Sequence, residues 1–504
     1  MVSPPPTLIF NYDISCPFAY IASTRVQSLA QRTNATLIYH PVLLGAIYRA
    51  TAAPQGAGGS ASDVFNSTKK AVTGQSMQRT LSRYQVPYHP PPKHPRKTVN
   101  ALRMLYCVAD QDKRRKLTDR LFRAYWVEGR DVNDDAVLLQ IAAEAGVQGL
   151  DASCFANLEA RRELEKETGL AIERGAFGVP GFWIPGAGEG GEGRFFWGQD
   201  RMHFVEATLL GLSLAGEDAK GGQDAWTQVK NLRALLPRVV HSNHLHLAST
   251  PAVKLEFWFD FSSPWAFLGY TQLARLQRTF GPGLEIVLKP FLLGILFREI
   301  GAPNMPMMAV SQVKAMWSRR DHADWVRWWN AVDVQEGQQQ GLQGMDGPIK
   351  FYWADKFPIR TPTVLRVGIV EPAATKVLYS ACWEQNKHVA DESVLQSVLD
   401  EAGFNGADLI MRANSPTIKE KLRALTAEAK ELGLCGAPTY RVLRRQQNGE
   451  FKPAGGLVWG QDEINVVEDL IAGWSPEASN GQIAEVGKVS YEDVQSGKGV
   501  GAKL

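Results

Sequence analysis

Ser263 closes an aromatic run, Phe257-Trp258-Phe259-Asp260-Phe261, and Pro264 follows it directly. The run reads as a buried strand. Pro264 reads as the first turn of a helix, because proline gives no N–H to a ladder and its fixed φ suits that turn. Trp265, Leu268 and Leu273 to Leu276 recur at roughly helical spacing behind it, and Leu284 to Phe291 is a second apolar run. The pattern is strand, helix, strand, with a hydroxyl at the first junction. A side chain there faces the unpaired N–H groups and the positive dipole end of the helix, where an anion such as a thiolate is favoured. Serine is also a common helix cap, and that use alone accounts for its position. Its hydroxyl is too weak an acid to ionise, but it can donate a hydrogen bond to a bound thiolate. A free thiol titrates near about 8.5, and one charge-assisted bond plus the dipole supplies about one to two units of depression.

The same junction occurs earlier in the chain. Asn11-Tyr12-Asp13-Ile14-Ser15-Cys16-Pro17-Phe18-Ala19-Tyr20 matches Phe259 to Leu268, with Cys16 where the later copy has Ser263. Cys16 can itself be the thiolate. Ala19 stands where the second cysteine of a C-x-x-C pair would be, so a mixed disulfide is favoured over dithiol exchange. Three further blocks repeat in the same order. His40-Pro41-Val42-Leu43-Leu44-Gly45 matches Lys289-Pro290-Phe291-Leu292-Leu293-Gly294. Gly178-Val179-Pro180 matches Gly436-Ala437-Pro438, and Trp197-Gly198-Gln199-Asp200 matches Trp459-Gly460-Gln461-Asp462. Collinear matches at a long period mark an internal duplication.

Gly-x-Pro between a helix and a strand is a place for a cis peptide, expected here at Val179–Pro180 and Ala437–Pro438. Such a turn would open the preceding residue's N–H and C=O to an extended peptide ligand. In the Gly-Gln-Asp turns, Asp200 and Asp462 can cap a helix or accept hydrogen bonds from a ligand ammonium.

These sites need a scaffold in each repeat. A βαβ unit is expected over about residues 7–44 and again over about 253–293. A helical middle follows, with helices such as Arg114 to Val127 and Ala156 to Arg174 in repeat one, and Met307 to Ala331 and Thr417 to Leu432 in repeat two. Strands then return at Phe182 to Ile184 and Arg194 to Trp197, and at Thr439 to Arg444 and Gly456 to Trp459, before a last amphipathic helix. The boundaries read as repeat one, 1–213; linker, 214–252; repeat two, 253–475; and a polar tail, 476–504. One short helix is expected in the linker at Trp226 to Leu236. Trp317, Trp325, Trp328, Trp329 and Trp353 suit either an apolar acceptor pocket or packed core, with core slightly favoured.

A chain of 504 residues is too long for one core. A net charge of +3 with dispersed lysines and arginines points away from nucleic acid, and no apolar run is long enough to span a bilayer. Five scattered cysteines show no metal spacing, and a reducing compartment fits them. His241, His244 and His246 lack acidic or cysteine neighbours, so no metal is expected there. The chain ends Ala502-Lys503-Leu504, a variant of the S-K-L peroxisomal address, so the peroxisomal import receptor is an expected partner. Deleting these three residues from a fluorescent fusion should turn punctate fluorescence diffuse; unchanged puncta would count against the address.

Each repeat resembles the DsbA-like thioredoxin-fold proteins of the kappa-class glutathione transferase and 2-hydroxychromene-2-carboxylate isomerase family. The residues carrying the likeness are Asp260 to Trp265, Pro358 with Leu365-Arg366, Gly436-Ala437-Pro438 and Trp459 to Asp462, with Trp126 to Asp131 in repeat one. The resemblance implies an α/β chain of two tandem thioredoxin-fold domains, each with an inserted helical subdomain. It implies glutathione as cosubstrate and no metal. It also implies Ser263 at the glutathione sulfur, Ala437-Pro438 and Val179-Pro180 along the cysteinyl part, and Gln461-Asp462 and Gln199-Asp200 at the γ-glutamyl end. A kappa-type transfer to a small, apolar electrophile is the leading expectation. The alternatives are isomerisation, thiol oxidoreduction or peroxidation through Cys16, and a non-catalytic binding protein. Arg360 and Lys97 stand where the family has asparagine, and Cys16 where it has serine. The family's single repeat dimerises, so an internal pseudo-dimer is implied.

Overall fold

The computed structural model describes residues 4–55, 64–215, 225–239 and 252–476. His241, His244, His246 and the terminal Ala502-Lys503-Leu504 lie outside them.

Two four-stranded sheets carry the chain. In repeat one, β1 (Thr7–Tyr12) pairs parallel with β2 (Thr36–Pro41) and antiparallel with β3 (Gly181–Ile184), which pairs with β4 (Arg194–Trp197). Repeat two has the same order: β6 (Leu284–Pro290), β5 (Val253–Phe259), β7 (Thr439–Arg445), β8 (Phe451–Trp459). The first strand of each repeat, β1 and β5, is buried along nearly its whole length, and its residues are mostly apolar. Phe10 and Tyr12 stack, as do Phe257 and Phe259. Between the second and third strand of each sheet the chain runs out into helices, as the sequence predicts.

Helix Pro17–Arg32 follows the first junction. At the second, helix Pro264–Thr271 breaks at Gln272 and resumes as Leu273–Phe280. Strand β8 begins five residues before its expected start. Its middle holds Gly455 and Gly456 at positive φ, beside a register shift between Arg441 and Val442, so no alternating pattern marks it. Helix Ser67–Tyr84 was not legible in the sequence. The expected single linker helix is instead two 3-10 turns, Ala225–Gln228 and Leu232–Leu235. There Trp226 is buried, stacked on Phe204 of repeat one and edge-on to Trp328 of repeat two.

The tryptophan question resolves toward core for three of five residues. Trp325, Trp328 and Trp329 are buried, whereas Trp317 and Trp353 are half-buried. No helix of the described residues is long and apolar enough to cross a membrane.

Candidate functional site

Each junction is fastened from below by one buried carboxylate. Asp260 accepts hydrogen bonds from the Ser262 N–H (2.9 Å), the Leu293 N–H (2.9 Å) and the Thr361 hydroxyl (2.7 Å). Asp13 does the same with the Ser15 N–H (3.1 Å), the Leu44 N–H (3.0 Å) and the Thr98 hydroxyl (2.7 Å). Burial pushes both carboxyl groups up, against these donors. One side chain thus ties the junction to the next βα turn and to the start of a middle helix.

Ser263 caps its helix, accepting from the Ala266 N–H at 3.1 Å. Its hydroxyl also donates to the Ala437 carbonyl at 3.0 Å. The structure therefore brings the serine to the turn expected to hold the cysteinyl part of a peptide. In repeat one, the Cys16 thiol donates to the Val179 carbonyl at 3.3 Å, but makes no side-chain cap bond. Both Val179–Pro180 and Ala437–Pro438 are cis, as the sequence predicts, and so are His94–Pro95 and Phe357–Pro358, which it did not mark.

Cys16 does not occupy a thiolate environment. It is 6% exposed, and burial pushes its thiol up to about 12, with the charge of Asp13 adding to the rise. The N–H groups of Ala19 and Phe18 pull the other way and are outweighed. Helix position alone does not ionise a thiol this deeply buried. Cys16 should therefore react with iodoacetamide in the folded chain at least about tenfold more slowly than in urea, the reverse of an activated cysteine. Equal rates would show an open, ionised thiol.

The Trp-Gly-Gln-Asp turns dock on the same prolines. The Gly460 N–H donates to the Pro438 carbonyl and the Gly198 N–H to that of Pro180, both at 3.0 Å. At Gly436 a Cβ would lie 2.6 Å from Trp459 Nε1, which explains the glycine before the turn. The capping reading of Asp200 and Asp462 is not met: neither side chain caps the helix that follows. Both carboxylates instead accept from Arg201, Asp200 at 2.7 Å and Asp462 at 3.0 Å. Gln461 is fully buried and its carbonyl accepts from the Trp329 indole at 3.2 Å. Gln199 accepts from Arg25. Arg360 and Lys97 are exposed.

Three residues near the sites were not singled out by sequence. His322 packs on Trp265, Phe351 and Trp353, and its Nε2–H donates to the Pro264 carbonyl at 3.2 Å. Burial lowers its pKa to about 4, so the ring is neutral. Lys69 of repeat one lies over Trp459 of repeat two, and Lys314 of repeat two over Trp197 of repeat one. Burial lowers both ammonium groups, Lys314 to about 8 with help from the charge of Lys69. The signal for this pair was a lysine at the third position after a helix cap, Asn66 or Ser311, in both repeats.

The DSBA-like thioredoxin domain family matches residues 7–210, 254–330 and 363–472, well over half of the chain and both sheets. The chain belongs to that family. Its DsbA-like repeats are similar to 2-hydroxychromene-2-carboxylate isomerase of Sphingobium xenophagum, 29% identical over 206 residues, which is 40% of this chain and 98% of that protein. The isomerase of Pseudomonas sp. strain C18 is 25% identical over 41% of this chain and 92% of its own length. Among solved structures, a 2-hydroxychromene-2-carboxylate isomerase aligns over 40% of this chain and 94% of its own, at 24% identity and a TM-score of 0.34. The cytosolic disulfide reductase DsbM of Pseudomonas aeruginosa with GSH aligns over 35% and 85%, at 19% identity and 0.26. Each isomerase is matched by less than half of this DsbA-like chain. Among the described residues no group of side chains could hold a metal ion.

Proposed function

We propose that the chain is a glutathione-dependent enzyme of the kappa-transferase and 2-hydroxychromene-2-carboxylate isomerase type, with its working site in repeat two. The observation that carries this is the Ser263 hydroxyl, held between its helix N-terminus and the Ala437 carbonyl. That carbonyl currently takes the only proton the serine can donate. When glutathione lies along Ala437–Pro438, its cysteinyl N–H takes over the carbonyl, and the Ser263 proton turns to the sulfur. This swap of hydrogen-bond partners keeps the carbonyl and the hydroxyl paired, and once the thiol proton has passed to solvent the thiolate faces a hydroxyl and the N-terminal N–H groups. Asp462 receives the γ-glutamyl ammonium, and Lys69, over Trp459 and near Cys435, is a cation available to a glutathione carboxylate. The buried Gln461 side chain is a support for that turn rather than a contact.

The thiolate then attacks a soft electrophile, or adds to and leaves a conjugated enone, which isomerises it. The names of the matched relatives favour the isomerising form. Ser263 is as buried as Cys16, but it has only to donate a hydrogen bond, whereas oxidoreduction through Cys16 needs a thiolate that burial opposes. Retention on immobilised glutathione, chlorodinitrobenzene conjugation and conversion of 2-hydroxychromene-2-carboxylate test the reading together; failure of all three would remove it. Cys16→Ser should leave the glutathione-dependent rate within about twofold, since Cys16 is outside the working site; a collapse of activity, with Ser263→Ala harmless, would reverse the assignment.

A further inference from the structure

The contact between the repeats is built twice, about a pseudo-two-fold axis, but its charges are not. Helices Ser67–Tyr84 and Gln312–Gln338 each cross to the other repeat, and the two lysine–tryptophan contacts fix their equivalence. Two turns beyond each lysine stand Ser76 and Asp321, and a turn further Arg79 and Asp324. Asp321 pairs with Arg201 at 2.8 Å, whereas Ser76 hydrogen-bonds Glu463, the residue equivalent to Arg201. Asp324 pairs with Arg194, whereas Arg79 donates to the Gly455 carbonyl at 3.0 Å and reaches Glu463 at 3.4 Å. Arg83 adds a bond to Asp469 at 2.5 Å. Among the described residues, every ion pair between the repeats sets an arginine of repeat one against a carboxylate of repeat two.

We infer that this surface selects the unlike repeat as its partner and rejects a second copy of either one. Two copies of repeat one would bring Arg194 and Arg201 against Arg79 and Ser76, with no carboxylate beyond Asp200. Two copies of repeat two would bring Asp462 and Glu463 against Asp321 and Asp324. Arg79, Arg194, Arg201, Asp321 and Asp324 are all buried; in a like pair Arg201 keeps only Asp200 and Asp324 only Arg327 of its own helix, while Arg79, Arg194 and Asp321 are left without an opposite charge and out of water. The selection has a use in a chain with two pairing surfaces: the unlike pairing is met within one chain, whereas like-with-like pairing joins separate copies.

The test uses the full chain with a protease site placed within residues 216–224 and cut after folding. The cut protein is unfolded in urea and returned to buffer, and its pairings are read by native mass spectrometry. Unlike pairs should make up nearly all complexes. The variant Ser76→Asp/Arg79→Asp/Glu463→Arg makes the two halves alike at these three positions, leaving Arg194 and Arg83 one-sided, and should raise like pairs severalfold toward the random share of about half. Wild-type like pairs at that random share, or a variant as selective as wild type, would overturn the inference. In the intact chain, Arg201→Glu recreates one contact of a repeat-two pair. It should melt lower than Arg201→Met, and adding Asp321→Arg should restore most of the loss. Arg201→Glu melting no lower than Arg201→Met would also overturn it.

Discussion

Ser263→Ala should lower the glutathione-dependent turnover about tenfold or more. In the proposed site the serine makes one bond to the thiolate that alanine cannot make. A hydrogen bond to a charged group is worth about 1.5–3 kcal/mol, which is about ten- to a hundredfold in rate. The same substitution removes the helix cap to the Ala266 N–H and costs about 1 kcal/mol of stability. Activity and unfolding must therefore be measured side by side. The thiolate absorbance of bound glutathione separates the two roles: its titration should move up by about one unit or more in the variant, which loss of a cap alone would not do. Unchanged turnover and an unchanged titration would leave Ser263 as a cap only.

Arg201→Met should destabilise the folded chain by about 3–5 kcal/mol, the scale of breaking a buried ion pair from one side. Arg201 is buried and donates to Asp321, Asp200 and Asp462 at once. Asp321 is buried too, and burial raises its carboxyl to about 6 even with Arg201 beside it. A carboxyl whose folded pKa is raised favours the folded state at low pH and loses that contribution as pH rises through the folded value. Without Arg201 the folded pKa of Asp321 rises further. The variant's deficit should accordingly be largest near pH 8 and shrink as pH falls toward 5, measured as urea midpoints across that range. A deficit independent of pH would show that the lost packing of Arg201, rather than the stranded carboxylate, carries the effect.

The fold was legible where burial is apolar. The runs at Phe257 to Phe261 and Leu284 to Phe291 could only be strands, and Pro17 and Pro264 marked the helix starts. Helix Ser67–Tyr84 was missed because its two buried apolar residues, Val72 and Leu81, are nine positions apart, and the rest of its buried face is Arg79 and Arg83, whose partners include groups on the other repeat. No apolar periodicity marks a surface that is buried through ion pairs. The linker was misread for the opposite reason. Its apolar residues Trp226, Val229, Leu232 and Leu235 recur every third position, which reads as one helix, yet the chain leaves the helical path between Gln228 and Leu232 and two 3-10 turns bury them instead. At the site, residue types suggested the Ser263 junction and the two cis prolines, since both depend on local sequence. The burial that keeps Cys16 protonated depends on what covers it, and no spacing reports that.

The mismatch between Cys16 and Ser263 has an evolutionary side. In a homodimer one gene writes both halves, so any substitution at the junction appears twice and both sites change together. Joined in one reading frame, the two junctions mutate separately. Either can lose its chemistry and persist as scaffold while the other stays under selection. A cysteine sealed against Val179 in one copy, with a serine kept against Ala437 in the other, is a divergence that a single-repeat ancestor had no means to store.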